Sequence, residues 1–349
     1  MQFTERSNGV KYPMRHFLSI CIALFAAVSA GNFSGCAPKQ KPISETRPLL
    51  GTEVTITVYD KGQTRESLQP AFDEAFRVMK ELESKMLLPG PDNELEKLAV
   101  SAGGQSVPLS PPVFDLLMEA LRLYDQTEKV FDIRVKPMLD AYGFGGKNRV
   151  PEDAELDTLK NLVAQGGLFV AGKSILLSKK GMGFTLYKIG PGYILDQAAD
   201  ALASKGVLTA TIQTGRLIRL KGEPPSAQGF PVSVDNPSNP TKPIGTVYLP
   251  AGGYVMVAND EGAFEKNGKK YHMLLDPRSG KPADLCTAFA VHAKSVAEAQ
   301  PLALSAFILG PTEGLKLLDK FPNSSGLALF EKNGQQSRTG TGPFANLSR

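Results

Sequence analysis

Between Thr52 and Met86 the hydrophobic period of the chain changes, and whatever fold results has to satisfy both halves. Val54, Ile56 and Val58 alternate with polar neighbours along Glu53 to Tyr59, which puts one face of a β-strand on a core. Phe72, Ala75, Phe76, Met79, Leu82 and Met86 then recur at steps of three and four, one face of a helix, until Leu88-Pro89-Gly90-Pro91 stops it. Further on, Ser110-Pro111 reads as a helix N-cap with proline at the first position, opening a helix with Phe114, Leu117, Leu121 and Tyr124 on one face. The acidic segment from Pro151 to Leu162 reads as a surface helix, and Leu168 to Leu177 as a hairpin around Gly172-Lys173. Ala288 to Ala293 predicts a strand, and Ser295 begins a helix that carries Leu302, Ala306 and Leu309 inward and stops at Gly310. At 349 residues and 42% hydrophobic composition, either one large domain or two can be built.

The formal charge of +4 is weak, and about half of it lies ahead of Cys36, where Arg6, Lys11 and Arg15 face Glu5. With no basic cluster, no tryptophan and no aromatics interleaved with Lys and Arg, nucleic acid is not an expected partner. The amino terminus reads as a targeting segment. The apolar run from Phe17 to Ala30 follows basic residues and has the length of a signal-peptide core, short for a membrane span. Two cleavage points fit: after Val28-Ser29-Ala30, or at the lipobox-like Phe33-Ser34-Gly35-Cys36, where Cys36 would be acylated. Met1 and Met14 both fit as the start. We therefore expect residues 1–35 to be a signal peptide of lipoprotein type, 36–47 a Pro/Lys-rich tether and 48–349 the folded domain. That places the chain in a bacterial cell envelope, on the periplasmic side, lipid-anchored to a membrane. Cys21 lies in the signal core, which leaves Cys286 alone in the folded domain, unable to form an internal disulfide or a thiolate metal cluster.

His272 to Pro282 reads HMLLDPRSGKP, an apolar run that drops into Asp276-Pro277 and turns at Ser279-Gly280-Lys281-Pro282. As an ordinary hairpin corner, it would have a solvated Arg278 and a half-buried His272. As a functional turn, it would bring an imidazole, a carboxylate and a guanidinium together. The run His272-Met273-Leu274-Leu275-Asp276-Pro277-Arg278-Ser279-Gly280-Lys281-Pro282, with three residues between histidine and aspartate, resembles the signature of the ApbE family, the FAD:protein FMN transferases. Other landmarks follow in the family's order. Leu50-Gly51-Thr52 stands for Met-Gly-Thr, and Phe131-Asp132-Ile133-Arg134-Val135-Lys136-Pro137 for Phe-Asp-x-x-Val-x-Pro. Gly192, Tyr193 and Asp196 match a Gly-Tyr-x-x-Asp, and Gly215, Ile218 and Arg219 survive from a Gly-Gly-Asp-Ile-Arg.

The resemblance covers roughly Leu50 to Pro322 and implies an α/β fold, α+β mixed, with two lobes and a nucleotide cleft between them. It implies cleavage of FAD, with FMN esterified to a threonine of a target protein, AMP leaving, and Mg or Ca neutralising the pyrophosphate. Carried over residue by residue, His272 takes the catalytic position. Leu50, Phe131, Asp132, Gly192, Tyr193, Met273, Asp276 and Arg278 take flavin-contacting or supporting ones. The pattern also breaks. Thr185 replaces an aspartate, Tyr187 and Lys188 replace two glycines, and Pro191 replaces a lysine, with Lys188 a substitute cation. Arg216 and Leu217 stand for a glycine and an aspartate; Arg216 reads either as a phosphate contact or as a solvated strand end. At the metal site, Gln300 and Leu304 occupy the positions of the family's aspartate and threonine, and neither Glu298 nor Ser305 lies in register to replace them. Two readings follow. One is a flavin transferase with a rewired site, acting on an exported or membrane flavoprotein. The other is a non-catalytic flavin-binding or accessory exported lipoprotein.

Overall fold

The structure, a computed structural model, describes residues 41–348, so the signal segment and Cys36 lie outside the described residues. A hairpin of β1 (Ile43–Leu49) and β2 (Thr52–Val58) leads into α1 (Arg65–Met86) and α2 (Glu94–Val100). Then come β3 (Val107–Pro108), α3 (Pro111–Gln126), α4 (Lys136–Tyr142), α5 (Asp153–Gln165) and the hairpin β4 (Leu168–Ala171) and β5 (Ser174–Leu177). After α6 (Gly190–Ser204), strands β6 (Ala210–Thr214), β7 (Leu217–Lys221), β8 (Phe230–Val234), β9 (Gly245–Leu249) and β10 (Gly252–Ala258) follow in succession. Two small hairpins, β11 (Phe264–Lys266) with β12 (Lys269–Tyr271) and β13 (Leu275–Asp276) with β14 (Lys281–Pro282), precede β15 (Ala288–Ala293). The last elements are α7 (Val296–Leu318), β16 (Ser325–Lys332) and β17 (Gln335–Gly340).

The expected mixture of helix and sheet is present, organised on one eight-stranded sheet in the order β1-β2-β6-β7-β10-β15-β16-β17. Every neighbouring pair in it is antiparallel. Strand β10 is buried along its whole length and divides two cores by its alternation. Val255 and Val257 face the layer of α1, α6 and α7, whereas Tyr254, Met256 and Ala258 join a second cluster under the β8–β9 ribbon. A third cluster around Met138, Tyr142, Phe144 and Leu156 supports the small hairpins, with the Tyr142 and Phe144 rings stacked at 5.0 Å.

One expectation needs correction. Residues 43–47, read as tether, belong to β1, which pairs with β2 from Ile43 opposite Val58 to Leu49 opposite Thr52. What holds this polar edge strand is Glu45, buried and paired with Arg47 at 2.5 Å and Arg65 at 2.8 Å, with a Thr46–Thr55 hydroxyl contact of 2.8 Å. The helix opened by Ser295 is interrupted at Gly310, as the sequence leads one to expect. That residue takes φ 85° and ψ 178°, a kink after which helix resumes to Leu318. Elsewhere Ser110 occupies its N-cap position with proline behind it, but its side chain makes no cap hydrogen bond.

Candidate functional site

Turns between strands and the entry to a helix converge at one end of the large sheet. Leu50-Gly51 joins β1 to β2 with both residues at positive φ, 54° and 73°, the left-handed region that leucine rarely holds. Burial raises the Glu83 carboxyl of α1, against a hydrogen bond that it receives from the Leu50 N–H and that ties this turn to the helix. Gly215, at φ 51°, turns β6 into β7. The Thr185–Ile189 loop is fixed by Thr185 N–H donating to the Ile133 carbonyl at 2.8 Å and Gly190 N–H to Leu186 at 2.7 Å. Pro191 lies in the first turn of α6, where its missing N–H has no helical partner to lose. These pieces enclose a cleft of about 360 Å³, walled by Leu50, Pro191, Leu217, Val255 and Val257 and bearing Lys188, Thr214 and Gln300.

Both cations of the cleft are neutralised by the protein itself. The Lys188 ammonium pairs with the Glu261 carboxylate and lies 4.5 Å from the centroid of the Tyr187 ring. Glu261 also accepts from the Ala258 N–H at 3.1 Å. Arg216 is bidentate to Asp260 at 2.7 and 2.8 Å and reaches Asp235 at 3.3 Å. Those bonds raise the guanidinium further and hold Asp260 below the usual carboxylate range, although burial pushes Asp260 the other way. Arg216 is therefore neither a solvated strand end nor an uncommitted phosphate donor.

Gln300 closes the base of the cleft. Its Oε1 accepts from the Gly192 N–H at 2.9 Å, and its Nε2 donates to the Tyr187 carbonyl at 3.2 Å. The residues present do not fit the divalent ion that the family resemblance implies. The side-chain oxygen at the position of the expected ligand already accepts an amide, and a loop carbonyl receives a hydrogen bond from the same side chain. Leu304, one turn on, has no donor atom, and among the described residues no three His, Cys, Asp or Glu side chains converge on a point. Glu298 pairs with Lys294 at 3.0 Å and does not line the cleft.

Of the residues singled out in the sequence, the structure brings Leu50, Tyr187, Lys188, Pro191, Arg216, Leu217 and Gln300 to this cleft. The others lie elsewhere. Phe131 is a core residue, and Asp132 caps a short 3-10 turn, accepting from the Arg134 N–H at 2.9 Å and pairing with that guanidinium at 2.8 Å. Gly192 is a packing residue, because a Cβ there would sit 2.6 Å from the Val296 carbonyl oxygen. Tyr193 faces a separate groove with Glu81, Asp115 and Gln197. Met273 packs on Gly262, and its N–H donates to the Glu261 carbonyl at 3.1 Å, which steadies the turn carrying the acids of the cleft. Asp276 and Arg278 satisfy each other at 2.7 Å within the β13–β14 corner. His272 is buried edge-on against Phe307 at 5.9 Å, and burial lowers it to about 4, so it is neutral at pH 7. Asp196 accepts from Val296 and Ala297 N–H groups at 3.2 and 2.8 Å and pairs with Arg219 at 3.0 Å, locking α6 to the start of α7. Sequence reasoning passed over Thr214 and the pair Asp260-Glu261; only the acidic turn Asp260-Glu261-Gly262 after an apolar run carried a readable signal.

A helix-layered antiparallel sheet with a cleft at the turns of its strands defines an α+β fold. The ApbE family model matches residues 50–328, and the chain belongs to the ApbE family. It is 25% identical over 303 residues to the FAD:protein FMN transferase of Vibrio cholerae, covering 85% of this chain and 90% of that one. It is 24% identical over 318 residues to the protein of the same name from Haemophilus influenzae, covering 88% and 91%. The fold matches the flavinyl transferase ApbE of Pseudomonas stutzeri in its apo form with a TM-score of 0.76, at 23% identity, over 88% of this chain and 96% of that one. It matches the Thermotoga maritima ApbE protein at 0.75, with 22% identity over 86% and 97%.

Proposed function

We propose that this chain is a flavin-holding member of its family that does not carry out the transfer of FMN from FAD to a threonine. One observation carries the reading: the Gln300 side chain spends both its polar atoms on Gly192 and Tyr187, at the position where the family resemblance calls for a metal-binding carboxylate. Phosphoryl chemistry depends on cations that neutralise the spreading negative charge, and Lys188 and Arg216 are each committed to an internal carboxylate. The relatives named FAD:protein FMN transferase support a flavin nucleotide as the ligand class. The signal-like amino terminus and Cys36 support an accessory role at the membrane surface of the cell envelope, with a lipid anchor and an exported flavoprotein as partner. Replacement of Cys36 by alanine would then release the protein from the membrane fraction; retention would remove the anchor from this reading. The direct test of function is to incubate the purified protein with FAD, Mg²⁺ and a threonine-bearing acceptor and to follow AMP. Flavin binding with no AMP and no labelled acceptor is expected, and metal-dependent AMP release would overturn the proposal.

A further inference from the structure

The four residues of β4, Leu168-Phe169-Val170-Ala171, form an apolar outer strand with an open edge. In the three-stranded sheet of order β3-β5-β4, this strand pairs only with β5, from Leu168 opposite Leu177 to Ala171 opposite Ser174. The Gly167 carbonyl accepts from the Ser178 N–H at 3.0 Å, and the alternation of an antiparallel ladder then turns the N–H and C=O groups of Leu168 and Val170 away from β5. Phe169 is 60% exposed and Val170 is 46% exposed, and successive side chains point to opposite faces, so both faces are open beside the edge. Edges of this kind recruit further strands unless charge or proline blunts them. The large sheet shows that blunting: β1 carries Arg47 and Pro48, and β17 reads Gln-Gln-Ser-Arg-Thr-Gly. β4 has neither device. The charge around it is also one-sided. From Thr158 to Leu195 the chain holds no Asp or Glu. Lys173 stands exposed in the turn after β4, and Lys179, also exposed, donates to Gln165 Oε1 at 3.4 Å just ahead of the strand. A cation therefore flanks each end of the edge.

Resting on the accessory reading for the occupant, an exported protein, we propose that β4 takes an extended segment of that protein as a fourth strand. The segment has a short apolar or β-branched middle closed at each end by Asp or Glu. Its main chain hydrogen-bonds Leu168 and Val170, its side chains pack on Phe169 and Val170, and Lys173 and Lys179 select the acidic ends.

The probe is a capped fluorescent peptide, Asp-Val-Thr-Val-Thr-Asp, titrated into the purified protein beside a counterpart with lysine at both ends. The acid-ended peptide is expected to bind at least about tenfold more tightly, to weaken with salt, and to slow hydrogen exchange at the Leu168 and Val170 amides. Val170→Pro deletes an outward N–H where an edge strand accepts proline, and is expected to weaken the peptide about tenfold with exchange in β5 unchanged. Lys173→Glu combined with Lys179→Glu is expected to reverse the preference between the two peptides. Equal binding of the two, binding of neither, or protection that misses β4 would overturn the inference. So would a protein already dimeric in sedimentation with its Leu168 and Val170 amides protected before peptide is added, because a second copy would then hold the edge. FAD binding is measured on the same samples. Its absence would strike the flavin-holding reading and leave a positive peptide result standing, and peptide failure with intact FAD binding would do the reverse.

Discussion

Gln300 is the residue on which the site turns. Replacing it with leucine leaves the Gly192 N–H and the Tyr187 carbonyl without their partner, each omission costing about 1–3 kcal/mol. Denaturant unfolding of Gln300→Leu is therefore expected to show a loss of about 2–4 kcal/mol; a loss under about 0.5 kcal/mol would mean that the amide is not the clamp. His272 makes a second claim at this scale. Burial lowers it from an ordinary value of 6.5 to about 4, and the nearby Lys270 acts in the same direction. The unfolded chain then takes up a proton first, so stability is complete above about pH 6.5 and falls as the pH drops towards 4. Between pH 7 and about 4.5 the wild type is expected to lose on the order of 2 kcal/mol more than His272→Gln; parallel curves would contradict a buried neutral imidazole. Leu50, Lys188 and Gln300 were legible from the sequence as cleft residues because landmarks around them fixed their register. Thr214, which lines the cleft, was not, because a single threonine ending a strand carries no periodic or charge signal.

At the scale of elements, the features shared with the family pattern are the ones that hold the scaffold. Gly192 admits the backbone of α7, Asp196 ties α6 to α7 and to Arg219, and the Asp276–Arg278 corner closes on itself. The exchanged residues lie in the loop before α6, in the β6–β7 turn and on one face of α7, where they meet around the cleft. Restoring oxygen ligands one helical turn apart tests whether only side chains are missing. The double change Gln300→Asp with Leu304→Thr is expected to introduce a thermal stabilisation by Mg²⁺ that the wild type lacks. A wild-type protein stabilised equally by Mg²⁺ would refute the substitution of amide for ion. Several elements were readable from period and turn signals, including α1, α5 and the β4–β5 hairpin, whereas α3 was read from its Ser110-Pro111 start with Phe114, Leu121 and Tyr124 inward, where the structure buries Val113, Leu116, Ala120 and Leu123. β1 was not, because its anchoring side chain is a buried glutamate held by two arginines and its pairing is carried by hydroxyls, so neither an apolar stripe nor a turn residue announces it.

Across the whole molecule, one eight-stranded sheet carries two cores, and the cleft opens at the turns of its strands, where Leu50, Gly215 and the α6 entry meet. Such a scaffold fixes backbone positions independently of the charges displayed at its rim, which is why a family fold persists while the groups around its cleft are exchanged. In the reading proposed above, hydrogen bonds and ion pairs within the protein stand where an ion would, so flavin affinity should be indifferent to divalent metal. The dissociation constant of FAD, measured by flavin fluorescence in Mg²⁺ and again in EDTA, tests this most directly. Values within about twofold of each other are expected. Binding that disappears in EDTA and returns with Mg²⁺ would contradict it.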